Sequence, residues 1–214
     1  MHDHVVVDVE IQKTVEETPG GWDATDKLGV AVACVWEYRT ARMRVYGPDD
    51  VGALRERLMA ADRISGFNIF NFDFPVIWGV AKQDWLFGRG VAGADAGEGK
   101  TKYNCSLKVL LERKTDDMLR RIWQAKGLNP DQFSKETHGG VGLDAVAGST
   151  IGARKIGYGG DAPRWYQAGQ WARVANYCAD DVAIERDLCD FVERYGYVVA
   201  GGKQLHISQW RGGA

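Results

Sequence analysis

Asp8 and Glu10 stand two residues apart in the run Val5-Val6-Val7-Asp8-Val9-Glu10. Four valines in six residues predict a β-strand, because β-branched side chains suit a pleated, buried surface. Strand side chains alternate faces, so the two carboxylates share one face and Val7 and Val9 the other. Carboxylates in an apolar strand are costly to bury, and these two also repel each other with no Lys or Arg between them. A divalent cation relieves both costs, since hard cations take oxygen ligands. The same pair at a solvated strand end needs no ion, so this stretch by itself leaves both readings open.

Two further stretches carry acids in defined local settings. Asn68-Ile69-Phe70-Asn71-Phe72-Asp73-Phe74-Pro75 follows a short strand predicted at residues 63–67. Pro75 is tolerated in a first helical turn, so Asp73 falls near a helix N-terminus, where a carboxylate is favourable and where a simple N-cap also stands. Tyr177-Cys178-Ala179-Asp180-Asp181 lies in a helix predicted over residues 170–194 from the spacing of Trp171, Val174, Cys178, Val182, Leu188, Phe191 and Val192. Tyr177 and Asp181 are four apart and meet on one face. Asp180, three from Tyr177, stays an alternative ligand on sequence alone. Asp116-Asp117 after Thr115 reads as a helix cap.

The elements that must position these groups follow in order. Residues 29–36 and 41–46 predict two strands that extend the first into an antiparallel meander, and Val51, Leu54, Leu58 and Met59 mark a helix to about residue 61. Residues 12–27 form a long polar connection with a turn at Pro19-Gly20-Gly21. Residues 84–102 read as a glycine-rich surface loop without a phosphate-loop ending, and 106–111 fit strand or helix equally. Residues 129–141 and 153–163 read as loops around a short helix at 142–152, and 195–209 as a terminal hairpin around Gly201-Gly202. The order implies an α/β fold in one domain, residues 1–214: a three-stranded antiparallel meander plus parallel strands, flanked by helices.

Composition narrows the class. The net charge of −2 argues against a DNA-coating protein, but residues 100–173 hold 13 Lys and Arg against 7 Asp and Glu, an excess of +6 that leaves −8 elsewhere. A basic middle third beside an acidic site suits a polyanionic substrate met by metal ions. The longest apolar run, residues 28–36, is too short to span a bilayer. No cleavable apolar leader is readable, and the four cysteines show no C-x-x-C spacing, so a reduced, cytoplasmic protein without membrane attachment is expected.

The three motifs in this order resemble those of the DEDD 3'–5' exonucleases of the ribonuclease H-like fold, in the subgroup with Tyr in the third motif. The segment from Ser65 to Pro75 is similar to the second exonuclease motif of family B DNA polymerase proofreading domains, and Tyr177 to Asp181 to their third. Position 176, where the other subgroup carries His, is Asn. The resemblance runs from Val5 to about Phe191, and a free-standing nuclease without a polymerase or helicase domain is expected. It implies a metal-dependent exonuclease using two Mg²⁺ or Mn²⁺ ions. Asp8, Glu10, Asp73 and Asp181 would be the metal ligands, Asp8 bridging. Tyr177 would orient the attacking water, and Asn68 and Phe72 would meet the substrate strand or support the second motif. The implied partner is a single-stranded 3' end, DNA favoured over RNA; replication or repair is the implied setting. An RNA-directed or structure-selective nuclease of the same fold, or a non-catalytic nucleic-acid-binding module, stay as alternatives.

Weaker candidates surround these. Arg154, Lys155 and Arg164 flank a glycine-rich loop and could contact phosphates or stand as solvated loop charges. Trp22, Trp85 and Trp165 could stack on bases or simply pack. His138 has no partner His or Cys at zinc spacing.

Overall fold

The computed structural model describes residues 2–88, 101–208 and 210. In chain order the strands and helices are β1 (His4–Ile11), α1 (Thr25–Leu28), β2 (Val30–Glu37), β3 (Arg42–Tyr46), α2 (Val51–Ala60), β4 (Arg63–Gly66), α3 (Asp73–Trp78), α4 (Lys82–Leu86), α5 (Thr101–Lys114), β5 (Thr115–Asp117), α6 (Met118–Ala125), α7 (Lys135–His138), α8 (Leu143–Thr150), α9 (Ala162–Gln167), α10 (Trp171–Tyr195), β6 (Tyr197–Ala200) and β7 (Lys203–His206). Five strands form one mixed sheet in the order β3-β2-β1-β4-β5. β1 pairs antiparallel with β2 and parallel with β4, and β5 continues the parallel half. The chain is therefore an α/β protein with a mixed sheet flanked by helices.

The valine-rich first strand takes the central place because it can be buried on both faces. Val5, Val7, Val9 and Ile11 pack with Leu54 and Leu58 of α2 and Phe74 and Ile77 of α3. Val6 points the other way, into a layer with Val174, Tyr177, Cys178 and Val182 of α10. Asp8 and Glu10 have the parity of Val6 and so face α10. The parallel ladder between β1 and β4 ends at Val6 and Ser65, while β1 continues to Ile11. The acids thus lie beyond the carboxyl end of β4, in the crevice where open α/β sheets bind ligands. At the far edge, β3 exposes Arg42 and Arg44, charges that discourage strand addition.

Gly66 closes β4 where no side chain fits. A Cβ there would lie 2.3 Å from Ile69 Cγ2 and 2.7 Å from the Val7 carbonyl oxygen. The Val7 contact is backbone in the central strand and cannot yield cheaply. Gly66→Ala is therefore expected to destabilise by about 1–3 kcal/mol, in the range of overpacked cores. Urea unfolding should show a lowered midpoint with an unchanged slope; a wild-type midpoint would refute the close approach.

Several sequence expectations are corrected. Thr115–Asp117 is not merely a cap: it forms β5 beside β4, and only Asp117 caps α6, accepting from the Leu119 and Arg120 N–H groups. A three-residue strand with two acids carries no readable pattern; it is tolerated because Arg63 and Arg121 pair with Asp116. The ambiguous 106–111 stretch is helical, within α5. The expected loop at 129–141 contains α7, and the one at 153–163 runs into α9, with Pro163 in its first turn. Of the expected 84–102 loop, residues 89–100 lie outside the described residues, and its two ends belong to α4 and α5. Trp85 takes the packing role that the sequence left open to it, in the core with its ring N–H donating to the Phe70 carbonyl at 2.7 Å. The terminal hairpin forms as β6 and β7, turning at Gly201-Gly202. No described helix is long and apolar enough to cross a membrane.

Candidate metal centre

β1 and α10 bring three acids together. One carboxylate oxygen from each of Asp8, Glu10 and Asp181 lies within 4.8 Å of the others. Asp73 arrives from the start of α3, and its Oδ1 accepts the Val9 N–H at 3.0 Å, which ties it to the same strand. Asp181, and not Asp180, faces the cleft: Asp181 lines it and is buried, whereas Asp180 lies outside its lining. Tyr177 is one turn earlier on α10, with its ring buried against Trp165.

Buried acids elsewhere show what is missing here. Glu37 accepts from Arg57 at 2.6 Å and pairs with Arg44 at 2.9 Å; burial would raise its pKa, but these partners hold it at about 2. Asp116 has Arg63 and Arg121, and Asp117 has four backbone N–H donors. In the cleft, Lys155 is the single cation at ion-pair distance among the described residues, its Nζ 2.6 Å from Asp181 Oδ2. Burial, then the neighbouring Asp181 charge, pushes Asp8 up to about 7. Burial and Asp8 drive Glu10 and Asp73 well above the ordinary carboxylate range. Asp181 is also raised by burial, against the pull of Lys155. Burial alone would lower the Lys155 pKa, but Asp181 and Asp8 more than offset it, so Lys155 stays charged.

The donor set fits hard divalent cations. It consists of carboxylate oxygens without imidazole or thiolate, the ligand type of Mg²⁺ and Mn²⁺. Asp181 Oδ1 is buried with no hydrogen-bond partner among the described residues. An unpaired buried oxygen is costly, and a metal or its ordered water would satisfy it.

The other sequence candidates divide clearly. Asn68 and Phe72 line the cleft, as do Trp22, Tyr158 and Arg164 around its rim; the cleft encloses about 420 Å³. Trp22 is 61% exposed and meets the Phe72 ring edge-on at 5.7 Å. Lys155 reaches the acids themselves and not the rim. Arg154 points away, pairing with Asp144 at 3.2 Å. His138 is buried against Trp123, its Nε2 3.0 Å from the Asn129 carbonyl, and stands apart from the acids. Glu185 went unnoticed in the sequence. It lies one turn beyond Asp181 on the same face, and the spacing Tyr177, Asp181, Glu185 is the signal that marks it. No protein-family model matches this chain, and comparison with curated proteins gives no match.

Proposed function

We propose that this chain is a metal-dependent 3'–5' exonuclease with a ribonuclease H-like sheet, hydrolysing phosphodiester bonds at single-stranded 3' ends, DNA favoured over RNA. The observation that carries this reading is the gathering of Asp8, Glu10, Asp73 and Asp181 in one cleft, where Lys155 is the one cation at ion-pair distance from them among the described residues. A surface built only to bind nucleic acid would not present acids to phosphates, so the non-catalytic reading is disfavoured.

Bound Mg²⁺ or Mn²⁺ would lower the pKa of an attacking water and neutralise charge on the departing oxygen. Asp8, Glu10 and Asp181 would hold one ion, and Asp73 with Asp8 a second. Burial raises the Tyr177 pKa above its ordinary value, so the hydroxyl keeps its proton and orients water without acting as a base. Lys155 holds Asp181 in place by their 2.6 Å contact and lies over the Tyr177 ring, 5.1 Å from its centroid. Arg164 on the rim can meet the substrate backbone, and the Trp22–Phe72 pair offers apolar faces to an unpaired base.

A 5'-labelled single strand with Mn²⁺ is expected to shorten stepwise from its 3' end, while a circular strand stays intact and chelator stops the reaction. Equal digestion in chelator would sink the metal-dependent reading. Cleavage of the circle would replace exonuclease by endonuclease.

A further inference from the structure

Between the end of β4 and the start of α3 the chain turns a tight corner at residues 67–72, and Asp73 sits at its exit. Asn68 occupies the left-handed region, with φ 68°, where Asn is tolerated better than other side chains bearing a Cβ. Three N–H groups of this corner donate to two buried carboxylates from other elements. The Phe67 N–H reaches Glu185 Oε1 at 3.2 Å. The Asn68 N–H reaches Asp117 Oδ1, and the Phe70 N–H reaches Asp117 Oδ2, each at 3.0 Å. Glu185 is 2% exposed and Asp117 3%.

Glu185 is the less expected of the two. Asp117 also caps α6, which accounts for its burial. Glu185 caps nothing, and its second oxygen has no hydrogen-bond partner among the described residues. Burial first, and then the nearby Asp8, Asp73 and Asp181, disfavour its charged form. A carboxylate placed there costs stability unless its accepting oxygen is needed.

We infer that Glu185 is a positioning residue that pegs the corner, and with it Asn68 and Asp73, to the same helical turn that carries Asp181. One rigid stretch of α10 then sets two of the three motifs at once. Asp117 fixes the other end of the corner, and the Val9–Asp73 hydrogen bond ties its exit to β1. The inference rests on the nuclease reading for its purpose but not for its test.

Two substitutions separate the peg from the charge. Glu185→Gln keeps an oxygen for the Phe67 N–H and removes the charge; Glu185→Met keeps the length and removes both. Hydrogen exchange over residues 66–73 and Mn²⁺ affinity by calorimetry, both without substrate, read the corner directly. Glu185→Met is expected to speed exchange there and weaken Mn²⁺ binding about 10–100-fold, as for other groups that orient metal ligands. Circular dichroism and a cooperative melt like that of wild type should show that the loss is not general unfolding. Glu185→Gln should stay within about threefold of wild type in Mn²⁺ affinity, far from the loss expected of an orienting group, with unchanged exchange. The inference is overturned if Glu185→Met matches wild type in both readouts, or if Glu185→Gln loses as much Mn²⁺ affinity as Glu185→Met. Wild-type protein that degrades no strand, or binds no Mn²⁺, would instead defeat the nuclease reading while the exchange data still judge the peg.

Discussion

Asp8→Ala is expected to abolish metal-dependent degradation while the chain stays folded. Asp8 stands at the centre of the acidic group, in the central strand and opposite Asp181. Its backbone remains in place on substitution: residue 8 pairs with Cys34 across the sheet, and the Cys178 thiol donates to its carbonyl at 3.3 Å. Only the side chain is lost, and that side chain is the one we place between both ions. Removing a single preorganised charge-stabilising group costs about 10²–10³-fold in rate, and a shared ligand should lie at or above the upper end. The control is Asp180→Ala, one residue from Asp181 but outside the cleft lining. It should stay within about tenfold of wild type, below the cost of a true site group. End-labelled oligonucleotide assays with circular dichroism on each variant decide the matter. A comparable loss in both variants would mean that α10 presents the wrong acid. Full activity in Asp8→Ala would remove the site.

Most of this centre could be read from residue types because each motif carries its own local periodicity. Alternation in residues 5–10 put Asp8 and Glu10 on one face, and the i, i+4 step put Tyr177 with Asp181. The valine run marked the first strand, but its central place in the sheet rests on pairing with β2 and β4. What escaped depended on partners distant in the chain. β5 is three residues long and holds two acids, and only Arg63 and Arg121, with the β4 edge, make it a strand. Arg154 and Lys155 read alike as loop cations that could contact phosphates, yet the two diverge: one reaches Asp144 and the other Asp181. Trp85 looked like a loop aromatic because α4 is five residues long, too short to show a periodic face. Glu185 was hidden by an apolar reading of α10, in which a polar residue on the buried side passes as an interruption of the stripe.

The same carboxylates make a second large effect measurable without any substrate: Mn²⁺ should raise the melting temperature of the wild-type protein and leave that of Asp8→Asn unchanged. Asp8, Glu10, Asp73, Asp181 and Glu185 lie near one another, and among the described residues Lys155 is the one cation at ion-pair distance from them. Burial raises the pKa of every one of them, and neighbouring acids add to it, so their charged forms work against folding. A ligand that binds only the folded state adds about 2.7 kcal/mol at a hundred times its dissociation constant. For a chain of this size, a kcal/mol is worth about 2–4 °C, so a rise of roughly 5–10 °C is expected. Asp8→Asn keeps the shape and removes one charge. In chelator, at a pH above about 7 where Asp8 carries its charge, it should therefore melt above wild type, since burial and the Asp181 charge disfavour the ionised carboxylate. The two proteins cross: the variant is more stable without metal, the wild type with it. If the acids were satisfied by the protein alone, the variant would be no more stable than wild type in chelator and Mn²⁺ would move neither curve. A stability gain in both proteins would place the binding somewhere other than Asp8. The crossing is specific because one side chain is asked to be a liability in the empty fold and a ligand in the filled one, and a surface acid can be neither.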